Sequence, residues 1–282
     1  MNHKSIEDIL LQKDKRGIAS LRQYLPNDYA SQAAQYVLNN LGTTVITTGF
    51  YILYGGTVET DGPPGAKAIG SALESLGQKV IYLTDRYCKP IMDALASPTE
   101  QTLEFPVTNA DKSNQFAREF LEDIRPSLLI SIERCSPSSD GIYRNMLSKD
   151  VSGFTAKIDT LFDIFPHSIG IGDGGNEIGM GKLQDVIPNH PKLPQQPAAT
   201  ATDQLLIASV SNWGGWGLVA GLSSITGKKL LPSIEDEQYR LNQCVELGLV
   251  DGFTGEVKPY VDGFSSEEYT MPLRELHEFL ER

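Results

Sequence analysis

The sequence predicts an α/β fold, a mainly parallel sheet with helices on both faces. Short β-branched, apolar runs alternate along the chain with longer segments whose apolar residues recur at helical spacing. The short runs are continuously apolar, the pattern of strands buried on both faces. Several of them lead into acidic, glycine-rich turns, and in open parallel sheets ligands bind outside the carboxyl ends of the strands.

Residues 5–40 read as helical, with Ile6, Ile9, Leu10, Ala33, Ala34, Val37 and Leu38 at helical spacings. Residues 43–48 form a β-branched strand ending at Gly49. A turn rich in Gly and Pro spans 55–65, and Ala66, Ile69, Leu73 and Leu76 then share one face of a helix that Gly77 stops. The next strand, 80–83, closes at Asp85. Phe116, Phe120, Leu121 and Ile124 mark a helix ended by Pro126, after which strand 128–132 runs into Glu133. Strand 168–171 runs into Asp173, and strand 205–210 into Asn212. Pro188, Pro191, Pro194 and Pro197 mark a surface connection. A last helix, 267–282, follows a Ser265-Ser266 cap. The expected organisation is one α/β domain over 1–282, with 1–40 as a helical segment. Residues 210–264 either pack on the main sheet or form a small cap.

Composition narrows the partners. A net charge of −12 repels polyphosphate backbones, so no nucleic-acid partner is expected. No stretch reaches the roughly 18 consecutive apolar residues of a membrane helix, and no secretory signal opens the chain. Cys88, Cys135 and Cys244 form no CxxC pair, which fits a reducing, cytoplasmic setting.

The turns after the strands carry the candidate chemistry. Glu59 and Asp61 precede a helix beside Gly62 and Gly65; they can cap that helix or hold a cation. A dinucleotide site would use Gly62, Gly65 and Asp85, but GxGxxG is absent and Pro63 and Pro64 fill the space between the glycines. Glu133 sits where a metal ligand would, or pairs with Arg134 or Arg144. Cys135 would need an arginine at 141 for a phosphatase loop, and that residue is Gly141. The strongest local signal is 170–181, with six glycines in twelve positions around Asp173, Asn176 and Glu177. These three supply hard oxygen ligands or general acid/base groups. The turn 211–217 feeds a helix whose amides could hold a carboxylate or phosphate, with Trp213 and Trp216 as pocket walls or core. His167, just before the glycine-rich loop, is the one histidine expected near the site. Carboxylate-rich turns favour Mg²⁺ or Mn²⁺ over zinc.

Together, Thr48-Gly49-Phe50, Glu59-Thr60-Asp61-Gly62-Pro63, Glu133-Arg134, the loop from Gly172 to Gly181 and Val261-Asp262-Gly263 resemble the D-glutamate cyclase-like C-terminal domain family over roughly residues 40–265. The resemblance implies a Rossmann-like fold and an enzyme that closes D-glutamate to 5-oxo-D-proline with loss of water. In that frame Glu59, Asp61, Glu133, Asp173 and Glu177 converge on one or more divalent cations. Asp173, Glu177 and Asn176 carry the catalysis, and Gly174, Gly175, Asn212, Gly214 and Arg134 bind the small-molecule substrate. The same apparatus could serve a Mg²⁺- or Mn²⁺-dependent phosphatase, or a non-enzymatic nucleotide or metabolite-binding protein.

Overall fold

A computed structural model describes residues 4–282. Helices α1 (Ile6–Leu10) and α2 (Tyr29–Asn39) lead into strand β1 (Thr43–Thr47). A small hairpin of β2 (Tyr51–Ile52) and β3 (Thr57–Val58) precedes α3 (Pro63–Ser75) and β4 (Lys79–Thr84). Then come α4 (Lys89–Leu95), β5 (Gln101–Glu104), α5 (Ala110–Ile124) and β6 (Leu128–Ile132). The chain continues through α6 (Asp159–Ile164), β7 (Ser168–Gly172), β8 (Gln204–Ile207), α7 (Ser211–Thr226) and α8 (Ile234–Glu246). A second hairpin, β9 (Tyr260–Val261) and β10 (Phe264–Ser265), runs into α9 (Ser266–Leu280).

The main sheet has strand order β5-β4-β1-β6-β7-β8, and every neighbouring pair is parallel. The chain starts at β1, steps outward through β4 and β5, then returns to β6 and steps the other way. The crevice between β1 and β6 is therefore the topological switch point of a Rossmann-like sheet.

Burial explains why the strand runs lack alternation. Ile46, Val80, Tyr82, Leu128 and Ile130 face a core shared with α1, α2, α3, α7 and α9. Their neighbours Val45, Ile81, Leu83 and Leu129 face a second core closed by α5 and α6. Both faces are covered, so both registers must be apolar. The strand at 101–104 was not legible as one, because Gln101 and Glu104 are exposed at the sheet edge. Residues 5–40 are not one helical run. After α1, Asp14 accepts the backbone N–H groups of Arg16, Gly17 and Ala19, and Gly17 turns with φ +87° before a 3₁₀ segment, Ile18–Tyr24.

Helix α7 is buried along most of its length and packs on α2 and α3. Trp213 and Trp216 are fully buried in this core rather than in a pocket wall, and the Trp213 indole N–H donates to the Tyr269 carbonyl. Helix α9 opens with a reciprocal capping box between Ser265 and Glu268. No described helix is long and apolar enough to cross a membrane.

Gly214 sets the spacing between α7 and the sheet: a Cβ there would meet Ile171 Cγ2 at 2.5 Å. Gly214→Ala should cost about 1–3 kcal/mol in urea unfolding through overpacking. A neutral substitution would show that α7 has room to move off β7.

Candidate active site

Three carboxylates from three separate turns meet at the switch point. Asp61 leads into α3, Glu133 follows β6 and Asp173 follows β7. One oxygen of each lies within 4.8 Å of the others, and all three side chains are buried. The local backbone makes this possible. Gly62 adopts φ +103°, and a Cβ there would strike Thr48 Oγ1 at 2.5 Å and Glu133 Cβ at 2.9 Å. Glycine alone lets the Asp61 turn pass beneath Glu133.

Asp61 is fixed from its far side. Its Oδ1 accepts the Asn212 N–H at 2.8 Å and the Gly62 N–H at 3.0 Å, and its Oδ2 accepts the Ser211 N–H at 2.8 Å. The carboxylate thus sits on the N-terminus of α7, where free amides and the helix dipole favour negative charge. Glu133, at φ +45°, accepts the Ser211 hydroxyl. Asp173 Oδ2 accepts Arg16 Nη1 at 2.8 Å, and the same guanidinium forks onto Asp262 at 2.6 and 2.8 Å. Glu59 is buried beside them and, among the described residues, has no hydrogen-bond or ion-pair partner for its carboxylate.

Of these groups, Arg16, Glu59, Glu133 and Asp173 line a cleft of about 430 Å³, and Asp61 and Asp262 are buried next to that lining. Its lining mixes acidic and amide groups (Glu59, Glu133, Asp173, Asn176 and Glu177), apolar ones (Phe50, Ile52 and Phe253) and basic ones (Lys15, Arg16 and Lys192). Burial is the main force on the acids. It raises Asp61 to about 7, helped by Asp262 and opposed by the amides of Asn212 and Ser211. Glu59 is pushed well up by burial, then by Asp262 and Asp61. Glu133 is pushed well up by burial, then by Glu177, Asp61 and Glu59. Asp173 also rises through burial, although Arg16 opposes the shift. Burial disfavours the charge on Arg16, yet Asp173 and Asp262 outweigh it and hold the guanidinium cationic. One guanidinium cannot balance so many ionised carboxylates, so the cluster must retain protons or take a cation. Three convergent carboxylate oxygens are a hard donor set that suits Mg²⁺ or Mn²⁺.

Several residues expected at the site do other work. Glu177 folds back onto its own loop, where Oε1 accepts the N–H groups of Asp173 (3.3 Å) and Gly174 (2.6 Å) and Oε2 that of Gly175 (2.8 Å). It touches the cleft, but its oxygens belong to the loop and lie outside the Asp61–Glu133–Asp173 group. The Gly174 and Gly175 amides are consequently not free for substrate. Gly175 is needed for its φ of +96°. Asn212 is fully buried; its Oδ1 accepts the Gly62 and Gly65 N–H groups at 2.9 and 2.8 Å, so it clamps a turn instead of orienting substrate. The amides at the start of α7 are occupied by Asp61, and Gly214 is a packing residue. Arg134 is buried away from the cleft, paired with Asp85 at 2.6 Å and donating to the carbonyls of Gly49 and Ala156. Glu133 therefore pairs with neither Arg134 nor Arg144, the latter being bound to Asp140. Asn176 lines the cleft while its Nδ2 donates to the Arg144 carbonyl. His167 lies at the opposite, N-terminal end of β7 against the Tyr36 hydroxyl. Cys135 is buried, and burial pushes its thiol far up, as an inert residue requires.

Arg16, Lys15 and the site role of Asp262 escaped the reading of the sequence. Asp262 stands within the Val261-Asp262-Gly263 motif. For Arg16 the signal was the Asp14-x-Arg16-Gly17 turn, which interrupts the helical segment and aims the arginine inward.

A family model described as D-glutamate cyclase-like, C-terminal, matches residues 6–277. The human protein named "D-glutamate cyclase, mitochondrial" is 30% identical over 272 residues, an alignment covering 82% of this chain and 44% of that relative. The chain thus spans less than half the length of the curated relative it matches.

Two measurements test the site's construction. Glu177→Ala leaves three buried amides without an acceptor and should cost about 3 kcal/mol or more in urea unfolding; a loss under about 1 kcal/mol would make the staple dispensable. The pH dependence has a definite sign. Asp61 titrates from 3.8 in the unfolded chain to about 7 in the folded one, so the native state holds extra protons across that interval. Stability is then present below pH 3.8 and lost as pH rises towards 7. With chelator present, the melting temperature should fall between about pH 5 and pH 8. A depressed surface acid such as Asp140, at about 2, acts below this window. A melting temperature that climbs with pH there would contradict the crowded-carboxylate picture.

Proposed function

The chain belongs to the D-glutamate cyclase-like C-terminal family, and on that premise we propose that its cleft closes D-glutamate to 5-oxo-D-proline with a divalent cation, Mg²⁺ or Mn²⁺, held by Asp61, Glu133 and Asp173. The observation that supports this most is the meeting of those three oxygens within 4.8 Å, two of them from residues that line a cleft with room for a small amino acid.

In the ring closure the amine nitrogen bonds to the γ-carboxyl carbon and one carbon–oxygen bond breaks. Nitrogen gives up two protons between the ammonium and the lactam, and the departing oxygen takes up two to leave as water. When bound, the cation supplies positive charge that offsets the γ-carboxylate and makes its carbon electrophilic. The residues do the rest. Asp61, Glu133 and Asp173 fix the acidic centre, each held in place by an amide, a hydroxyl or Arg16. Glu59, buried on the cleft and without a partner, receives protons from the amine and returns them to the leaving oxygen. Phe50 and Ile52, both buried, limit water around the reacting atoms.

Purified protein incubated with D-glutamate should form 5-oxoproline by NMR when Mg²⁺ or Mn²⁺ is present and not with chelator. Asp173→Asn should lower turnover by about 100-fold or more while leaving a folded protein, and should weaken cation binding by calorimetry. Absence of both cation binding and turnover would remove the cyclase from consideration. Sugar phosphates and nucleotides in the same screen would reveal a phosphatase or a binding protein instead.

A further inference from the structure

We propose that Arg16 binds the α-carboxylate of the substrate and so makes the cleft selective for an acidic amino acid that keeps this group free. The assignment rests on the cyclase function proposed above. It starts from how the guanidinium is spent. An arginine offers five N–H donors arranged along two edges, each able to hold a carboxylate by two parallel hydrogen bonds. Asp262 takes the end of the fork, with Nη1 to Oδ2 at 2.6 Å and Nη2 to Oδ1 at 2.8 Å. Asp173 takes the other Nη1 hydrogen at 2.8 Å. What remains is the Nε–H and the outer Nη2–H, the two donors of the second edge. Among the described residues neither has a protein acceptor, and Arg16 lines the cleft.

The group is held rigidly enough to discriminate. Its side chain is 13% exposed, and the guanidinium carbon lies 4.8 Å from the centre of the Phe253 ring. Its backbone is fixed by the Asp14 carboxylate and the Gly17 turn. Lys15 lines the same cleft, its Nζ donating to the Asp262 carbonyl at 2.8 Å, and adds a second cation to it.

The chemistry decides which carboxylate belongs on that edge. The γ-carboxylate must reach the acidic centre, because its oxygen is the one that leaves. The α-carboxylate takes no part in bond making and stays ionised throughout. It therefore suits a partner that never loses its charge, and arginine is that partner.

Calorimetry with Mg²⁺ present, comparing D-glutamate with D-isoglutamine, whose α-carboxylate is a carboxamide, tests the assignment. The unaltered protein should prefer D-glutamate by about 10- to 100-fold, the range of a hydrogen-bonded charge. Arg16→Met should bind the two compounds alike, and Arg16→Lys should recover part of the preference. Equal weakening of both compounds in Arg16→Met would show that Arg16 is only a strut between Asp173 and Asp262. Arg16→Lys carries the test if the methionine variant does not fold, since a strut predicts unchanged preference there. Failure of the unaltered protein to bind D-glutamate, or to tell the two compounds apart, would overturn the proposal. So would inorganic phosphate binding more tightly than D-glutamate in an Arg16-dependent way, because the edge would then serve a tetrahedral anion. Arg16-dependent selectivity without any turnover would remove the cyclase and leave the carboxylate site standing. Turnover with selectivity untouched in the Arg16 variants would do the reverse.

Discussion

The site depends on a reciprocal cap between the starts of two helices. Asp61, just before α3, accepts the Ser211 and Asn212 amides at the start of α7. Asn212, on α7, accepts the Gly62 and Gly65 amides at the start of α3. Helix N-termini leave backbone donors unpaired, and burying them without acceptors costs about 1–3 kcal/mol each. Here each turn supplies the acceptor that the other lacks. The lock ties the segment after β1 to the segment after β8 and fixes the Asp61 carboxylate beneath Glu133. A shift of either helix would open the acidic centre as well as the caps.

A second constraint works within one loop. Asp173 and Glu177 are carboxylates four residues apart and equally buried, yet they face different tasks. Glu177 gathers three amides of the turn, which leaves Asp173 the carboxylate presented to Glu133 and Asp61. The glycines around them follow from this folding back. A Cβ at Gly172 would meet Glu177 Oε2 at 2.8 Å, and Gly170 and Gly179 face one another too closely for side chains. The glycine density thus records close packing of the loop, Gly172 and Gly174 against Glu177 and Gly170 against Gly179.

These two constraints explain what the sequence could disclose. The parallel strands were legible because burial on both faces leaves continuous apolar runs, as at 128–132. The acids Asp61, Glu133 and Asp173 were legible because the chain itself delivers them to strand ends. The edge strand at 101–104 carries no such run. Direction was not legible either: composition and spacing place Glu177 and Asn212 in the right turns but do not say that they bond to backbone. Arg16 lay furthest from reach. Its partners are 157 and 246 residues away, a closure that only the packing of α1 on α7 and α9 produces.

Charge balance links this architecture to the proposed chemistry. A cluster of bare buried carboxylates would stabilise an ammonium group beside it and so withhold the lone pair that ring closure needs. The same carboxylates repel the γ-carboxylate that must approach them. Protonation of the cluster relieves the repulsion, but Asp61 loses its proton as pH rises through about 7, and a neutral cluster has no positive charge to draw the second carboxylate in. Carboxylates shared with a divalent cation relieve both problems at neutral pH: the local field turns positive, the amine gives up its proton more readily, and the second carboxylate is drawn in. Arg16 cannot take over that task, because Asp173 and Asp262 hold three of its donors and fix the guanidinium where it stands. The arrangement is therefore better suited to two kinds of positive charge with separate duties. A permanent one orients the carboxylate that does not react, and an exchangeable one sits where the carboxylate is consumed.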